Sequence, residues 1–148
     1  MASSFYDLHP LVMAAGPSAD LSGLTPRAFA ETRSRRQAPK DLRGVYRFLL
    51  SMVPTRTVAR RIPQLFTQLF DFGKAEISRE ECSEIDATFD GIPSALAPWF
   101  GTVVCAYGES ALRTSGAERA SFTLRPAMLA GSAHGVPLAR FIVEIRWK

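Results

Sequence analysis

The chain has 148 residues, 47% of them hydrophobic and 22% charged, the proportions of one ordinary globular domain rather than of a disordered or coiled-coil segment. At this length folding buries roughly 68–70% of the unfolded surface, so a core forms without help from a metal or a disulfide. Eighteen basic residues face 14 acidic ones, a net +4. The excess lies at the front: residues 1–61 hold ten Lys/Arg and four Asp/Glu, residues 62–148 eight and ten. Fifteen of the basic residues are Arg and the chain has no Asn, a skew that fits GC-rich codon usage before it fits chemistry.

No run of 18 apolar residues offers a membrane span. Met1–Pro10 lacks the basic and apolar regions of a secretory signal. Cys82 and Cys105 stand 23 residues apart with no CxxC and no histidine cluster, so neither a zinc framework nor a disulfide framework is encoded. Reduced thiols in a cytoplasmic protein are the simplest expectation.

Residues 1–40 are punctuated by Pro10, Gly16, Pro17, Gly23, Pro26 and Pro39 and read as an irregular basic arm. Thr25 and Pro26 open a short helix to Ala30, as cap and first helical residue. A single α+β domain is expected over 41–148. Within Leu42–Met52, Val45, Phe48, Leu49 and Met52 recur at helical spacing, and Pro54 ends the run. Val58, Ile62, Leu65, Phe66, Leu69 and Phe70 do the same in a second helix, which Pro63 should kink or split.

The period then falls to two. Lys74–Arg79 and Ser83–Asp90 form a hairpin, with Ile85, Ala87 and Phe89 inward and Glu84, Asp86 and Thr88 outward. A helix over Pro93–Thr114 follows, with Leu96, Phe100, Val103, Tyr107 and Ala111 on one face. A second face carries Ala97, Gly101, Cys105 and Gly108, small enough to admit another backbone, although each glycine costs about 1 kcal/mol of helix propensity. Arg119–Leu124 and Arg140–Trp147 alternate as strands, and Arg125–Leu138 between them reads as a long loop. The order ααββαββ implies an α+β fold in which a four-stranded, mainly antiparallel sheet packs on helices.

Chemistry is sparse. GxSxG, GxxxxGK[ST] and GxGxxG are all absent, which argues against nucleophile-elbow hydrolysis and phosphate-loop binding. A Cys105–His134 pair is the one nucleophile–base combination to weigh, and a structural thiol with a loop histidine is the favoured reading. Glu80, Glu81, Glu84 and Asp86 read as a solvated edge that deters strand pairing rather than as a metal site. The arginines lack interleaved aromatics and no helix-turn-helix is evident, which disfavours nucleic acid.

The leading expectation is therefore a non-enzymatic interaction or adaptor domain, needing no cofactor. Arg33, Arg35, Arg36, Arg43 and Arg47 would meet an acidic protein partner, or Gly101, Cys105 and Gly108 would support self-association. The alternative is a small apolar-ligand sensor, with Trp99, Val103, Tyr107, Phe122 and Phe141 lining a pocket between the long helix and the sheet.

Ile62-Pro63-Gln64-Leu65-Phe66, Phe70-Asp71-Phe72-Gly73, Gly91-Ile92-Pro93, Trp99-Phe100, Gly108, Gly116 and Phe141–Trp147 together resemble the landmarks of an uncharacterised family abundant in myxobacteria. That family is similar in fold to 4-vinyl-reductase-like and haem-NO-binding-like ligand domains. The resemblance covers about Asp41 to Lys148 and implies an α+β domain for ligand sensing or protein contacts, with no catalysis. The paired cysteines of the 4-vinyl-reductase type are absent from Arg125–Leu138, and no histidine is placed on a helix as a haem ligand. No metal, haem or site residue is carried over from it.

Overall fold

The computed structural model describes residues 9–148, apart from the side chains of 9–12, 45, 66, 67 and 69. The readings for residues 1–8 and for the side chains of Val45, Phe66 and Leu69 lie outside the described residues. The elements are α1 (His9–Leu21), α2 (Pro26–Asp41), α3 (Val45–Ser51), α4 (Thr55–Leu69), β1 (Lys74–Glu81), β2 (Glu84–Pro93), α5 (Ala97–Thr114), β3 (Ala120–Leu124), β4 (Met128–Ala133) and β5 (Val136–Trp147).

The irregular-arm expectation is corrected here, because two helices fill most of that segment. Thr25 caps α2 as expected, its Oγ1 accepting from the Ala28 N–H at 3.2 Å, with Pro26 at the first position. The helix then continues for 16 residues instead of stopping at Ala30. It escapes the hydrophobic pattern because the residues it buries are Ala30, Ser34 and Ala38. Small side chains at i, i+4 and i+8 give close helix approach, on α5 in this case, without an apolar stripe. Asp41 ends α2 rather than capping the next helix, so α3 is shorter than Leu42–Met52. Pro63 does not split α4; the helix runs through it, and Pro63 is fully buried.

The sheet is antiparallel, in the order β1-β2-β5-β3, with β4 also on β5. It has five strands rather than four. β4 lies inside the expected loop and shows no period-two pattern because all six of its residues are exposed. It joins β5 through His134 and Gly135, whose φ angles of 49° and 77° give the paired left-handed turn that suits the twist of a hairpin. β5 is thereby long enough to carry β4 and β3 in tandem along one edge.

Alternation places Ile85, Ala87 and Phe89 opposite Ile145, Val143 and Phe141 on the covered face. All six are buried, and Phe89 stacks on Phe141 with ring centres 5.1 Å apart. Phe100 of α5 meets Phe70, Phe72 and Phe89, so α4 and α5 cover that face. The opposite face is a charged lattice: Arg146 and Arg79 reach Glu84, and Arg125 reaches Glu144. At the strand entry, Gly73 and Gly91 both have φ near +70°, and a Cβ on Gly73 would lie 2.6 Å from the Asp90 carbonyl oxygen. That close crossing needs glycine.

Candidate functional site

The space between α5 and the sheet, where a pocket was expected, is filled. A Cβ built on Gly101 would lie 2.7 Å from Leu124 Cδ2, and one on Gly108 would lie 2.6 Å from Phe122 Cζ. The two glycines are the sockets into which β3 side chains fit. Phe141, 1% exposed and stacked on Phe89, completes that wall. Phe122 and Phe141 therefore belong to the core. Gly101 and Gly108, both buried against β3, are not free to receive a second helix.

The other three expected pocket residues meet on the opposite side of α5. Trp99, Val103 and Tyr107, spaced by four, form one wall of a cleft of about 440 Å³. The facing wall comes from the supposed arm: Phe29, Arg33 and Gln37 of α2, with Ala15 of α1. This volume lies within the roughly 300–1,000 Å³ of small-molecule sites. A shallower depression of about 330 Å³ near Gly73, Gly91 and Leu138 contains no aromatic side chain.

One end of the cleft is tied by hydrogen bonds. The Tyr107 hydroxyl donates to Asp41 Oδ2 at 2.5 Å, and Gln37 Nε2 donates to Asp41 Oδ1 at 2.6 Å. These two donors hold the Asp41 carboxyl below its usual value, Tyr107 contributing most. Desolvation, then the bond to Asp41, pushes the Tyr107 hydroxyl up to about 12, while the nearby Arg33 guanidinium opposes the rise. The bond joins the last residue of α2 to the middle of α5. Arg33 itself makes no ion pair among the described residues.

The remaining candidates are dispersed. Arg35 pairs with Glu31 one turn away at 3.1 Å. Arg36, Arg43 and Arg47 are exposed on α2, its exit and α3. Farther along the basic front, Arg56 and Arg60 are held by Glu80, at 2.7 and 3.2 Å. The acidic edge is thus occupied by arginines, and no cluster of three or more potential metal ligands occurs among the described residues. Cys105 is mostly buried, and desolvation pushes its thiol up to about 11, which keeps it a protonated, poor nucleophile at neutral pH. His134 is a turn residue at an exposed hairpin tip. Among the described residues no helix is long and apolar enough to cross a membrane.

No family model and no curated protein matches the sequence. Solved structures do match. An oxygen-binding H-NOX domain related to soluble guanylate cyclases, in its oxygen complex, aligns over 100% of this chain and 76% of its own, with a TM-score of 0.67 and 10% identity. An H-NOX mutant of T. tengcongensis covers 98% of this chain and 76% of its own, with a TM-score of 0.64 and 10% identity. The Fe(II) unliganded H-NOX protein of K. algicida covers 100% and 77%, with a TM-score of 0.60 and 10% identity. The fold is therefore related to that of haem-NO-binding domains. This overturns the leading expectation of an adaptor domain without a ligand: the fold matches, over 76% and 79% of their own length, domains described by the oxygen or haem they hold.

Among the described residues, the donor set at the cleft does not fit haem. Haem iron takes His, thiolate, Met or Tyr as axial ligand. Among the described lining residues there is no His, Cys or Met. Tyr107 is present, but its proton is held to about 12 and directed at Asp41. His134 lies at a hairpin tip, and the His9 side chain is outside the described residues.

Proposed function

We propose that the protein is a non-enzymatic small-ligand-sensing domain whose site is the cleft between α5 and the α1–α2 helices. The observation that carries this reading is the position of the opening. The interior against the sheet is closed by Phe122 and Leu124, while Trp99, Val103 and Tyr107 face an open space of ligand size. The kinship in fold with H-NOX domains supports a sensing role, and the donor set argues for a ligand other than haem. The two free thiols, Cys82 and Cys105, suit a cytoplasmic setting.

The test is a thermal-shift screen of small organic molecules on the wild type and on Val103→Trp, which fills the middle of the cleft. Ligands that raise the melting temperature of the wild type but not of the variant support the reading. A screen in which no compound stabilises the wild type, or in which every hit stabilises both proteins equally, overturns it.

A further inference from the structure

We infer that the cleft selects an amphipathic organic anion, with a flat apolar body and one carboxylate or sulfonate group. The inference rests on the cleft being the ligand site and adds the chemical class that it takes. Its starting point is the unequal state of the two charged residues in the lining. Asp41 is satisfied: each carboxylate oxygen already accepts a short bond, one from Tyr107 and one from Gln37. Arg33, two turns earlier on the same helix, faces the cleft with no counter-charge among the described residues. Its neighbour Arg35 is neutralised within α2 by Glu31. Asp41 keeps its charge, but its oxygens are already engaged by neutral donors; the charged group in the lining with no hydrogen-bonded or ion-paired partner among the described residues is the Arg33 guanidinium.

The guanidinium offers a planar fork of donors that matches a carboxylate or sulfonate edge. Seven helical residues lie between Arg33 and Asp41, which sets their backbones about 12 Å apart along the helix axis. Phe29, Trp99 and Val103 supply the apolar surface beside that charge. Two aromatic rings and a branched aliphatic side chain suit a flat body, and Trp in particular gives contact area at little entropic cost.

The test uses two fluorescent naphthylamines of similar shape, 8-anilinonaphthalene-1-sulfonate, an anion, and N-phenyl-1-naphthylamine, which is neutral. Each is titrated into the wild type, Arg33→Gln and Val103→Trp. The wild type is expected to bind the anion about tenfold more tightly than the neutral probe, the low end for a charge-assisted hydrogen bond. Arg33→Gln should remove that preference while leaving the neutral probe unchanged. Equal affinity of the wild type for both probes, or a preference that survives Arg33→Gln, overturns the anionic class while leaving the cleft as the site. Unaltered binding of both probes to Val103→Trp overturns the site and with it the proposed function. The comparison of the two probes on the wild type needs no variant, so a poorly folded substitution cannot decide the outcome.

Discussion

Gly108 is the position at which a helix rule and a packing rule oppose each other. In an isolated helix, Gly→Ala stabilises by about 0.8–1.0 kcal/mol, since alanine surrenders less backbone entropy. At Gly108 the added Cβ would stand 2.6 Å from Phe122 Cζ, well inside contact distance, so the ring must swing away from α5. Overpacking of this kind costs about 1–3 kcal/mol. The balance makes Gly108→Ala destabilising by about 1 kcal/mol. Phe122→Ala removes the obstructing ring, and in that background the same substitution should stabilise by about 1 kcal/mol, the propensity term alone. The coupling between the two sites is then about 2 kcal/mol. Urea unfolding of the four proteins measures it directly, with the denaturant slope checked for constancy across the set. If Gly108→Ala stabilises the wild type and the Phe122→Ala variant by the same amount, β3 is not seated on α5 as described. The space then remains open for the pocket that the structure closes.

Three further outcomes follow from the site. Cys82 is exposed and Cys105 is mostly buried with its thiol pushed up to about 11, so a disulfide reagent at pH 8 should modify one thiol rapidly and the second only on unfolding; two equally fast thiols would contradict the burial of α5. Tyr107 should form its phenolate only near pH 12, seen as the 295 nm absorbance missing from Tyr107→Phe. Because the folded value lies above the unfolded value of about 10, the Asp41–Tyr107 contribution to stability is complete below about pH 10 and is lost as pH rises toward 12. Ionisation of Tyr107 near pH 10 would contradict both the burial of its hydroxyl and its bond to Asp41. Hemin titrated into the protein should give no saturable one-to-one Soret band; a stoichiometric, ligated spectrum would refute the conclusion drawn from the donor set.

Periodicity revealed the elements that bury large side chains. Helical spacing locates α4 and most of α5, and alternation locates β2, β3 and the inner half of β5, with β1 following as the hairpin partner of β2, because Ile85, Phe89, Phe100, Phe141 and Ile145 are both apolar and buried. It failed where burial is achieved by small residues or not at all. α2 hides Ala30, Ser34 and Ala38 beneath a charged surface, and β4 buries nothing. The His134-Gly135 step was a usable hairpin signal, since histidine is among the residues that tolerate a left-handed backbone. The cleft was half legible for the same reason. Trp99, Val103 and Tyr107 are legible as pocket lining, but the sequence groups Val103 and Tyr107 with the core residue Phe100 and points them at the sheet, because their facing wall lies on α2, whose packing face leaves no pattern. The sequence reads Gly101 and Gly108 as a seat for another backbone; what fills them is the Leu124 and Phe122 side chains of the same chain.

The chain has two tryptophans, one in the cleft and one at the end of β5, and their indole N–H signals report on the two places separately. In a proton–nitrogen correlation spectrum, 8-anilinonaphthalene-1-sulfonate should shift the Trp99 signal along a saturating single-site curve. The Trp147 signal should stay in place, and the Trp99 response should disappear in Val103→Trp. A shift confined to Trp147, or no indole shift while the probe is bound, would contradict a ligand site between α2 and α5.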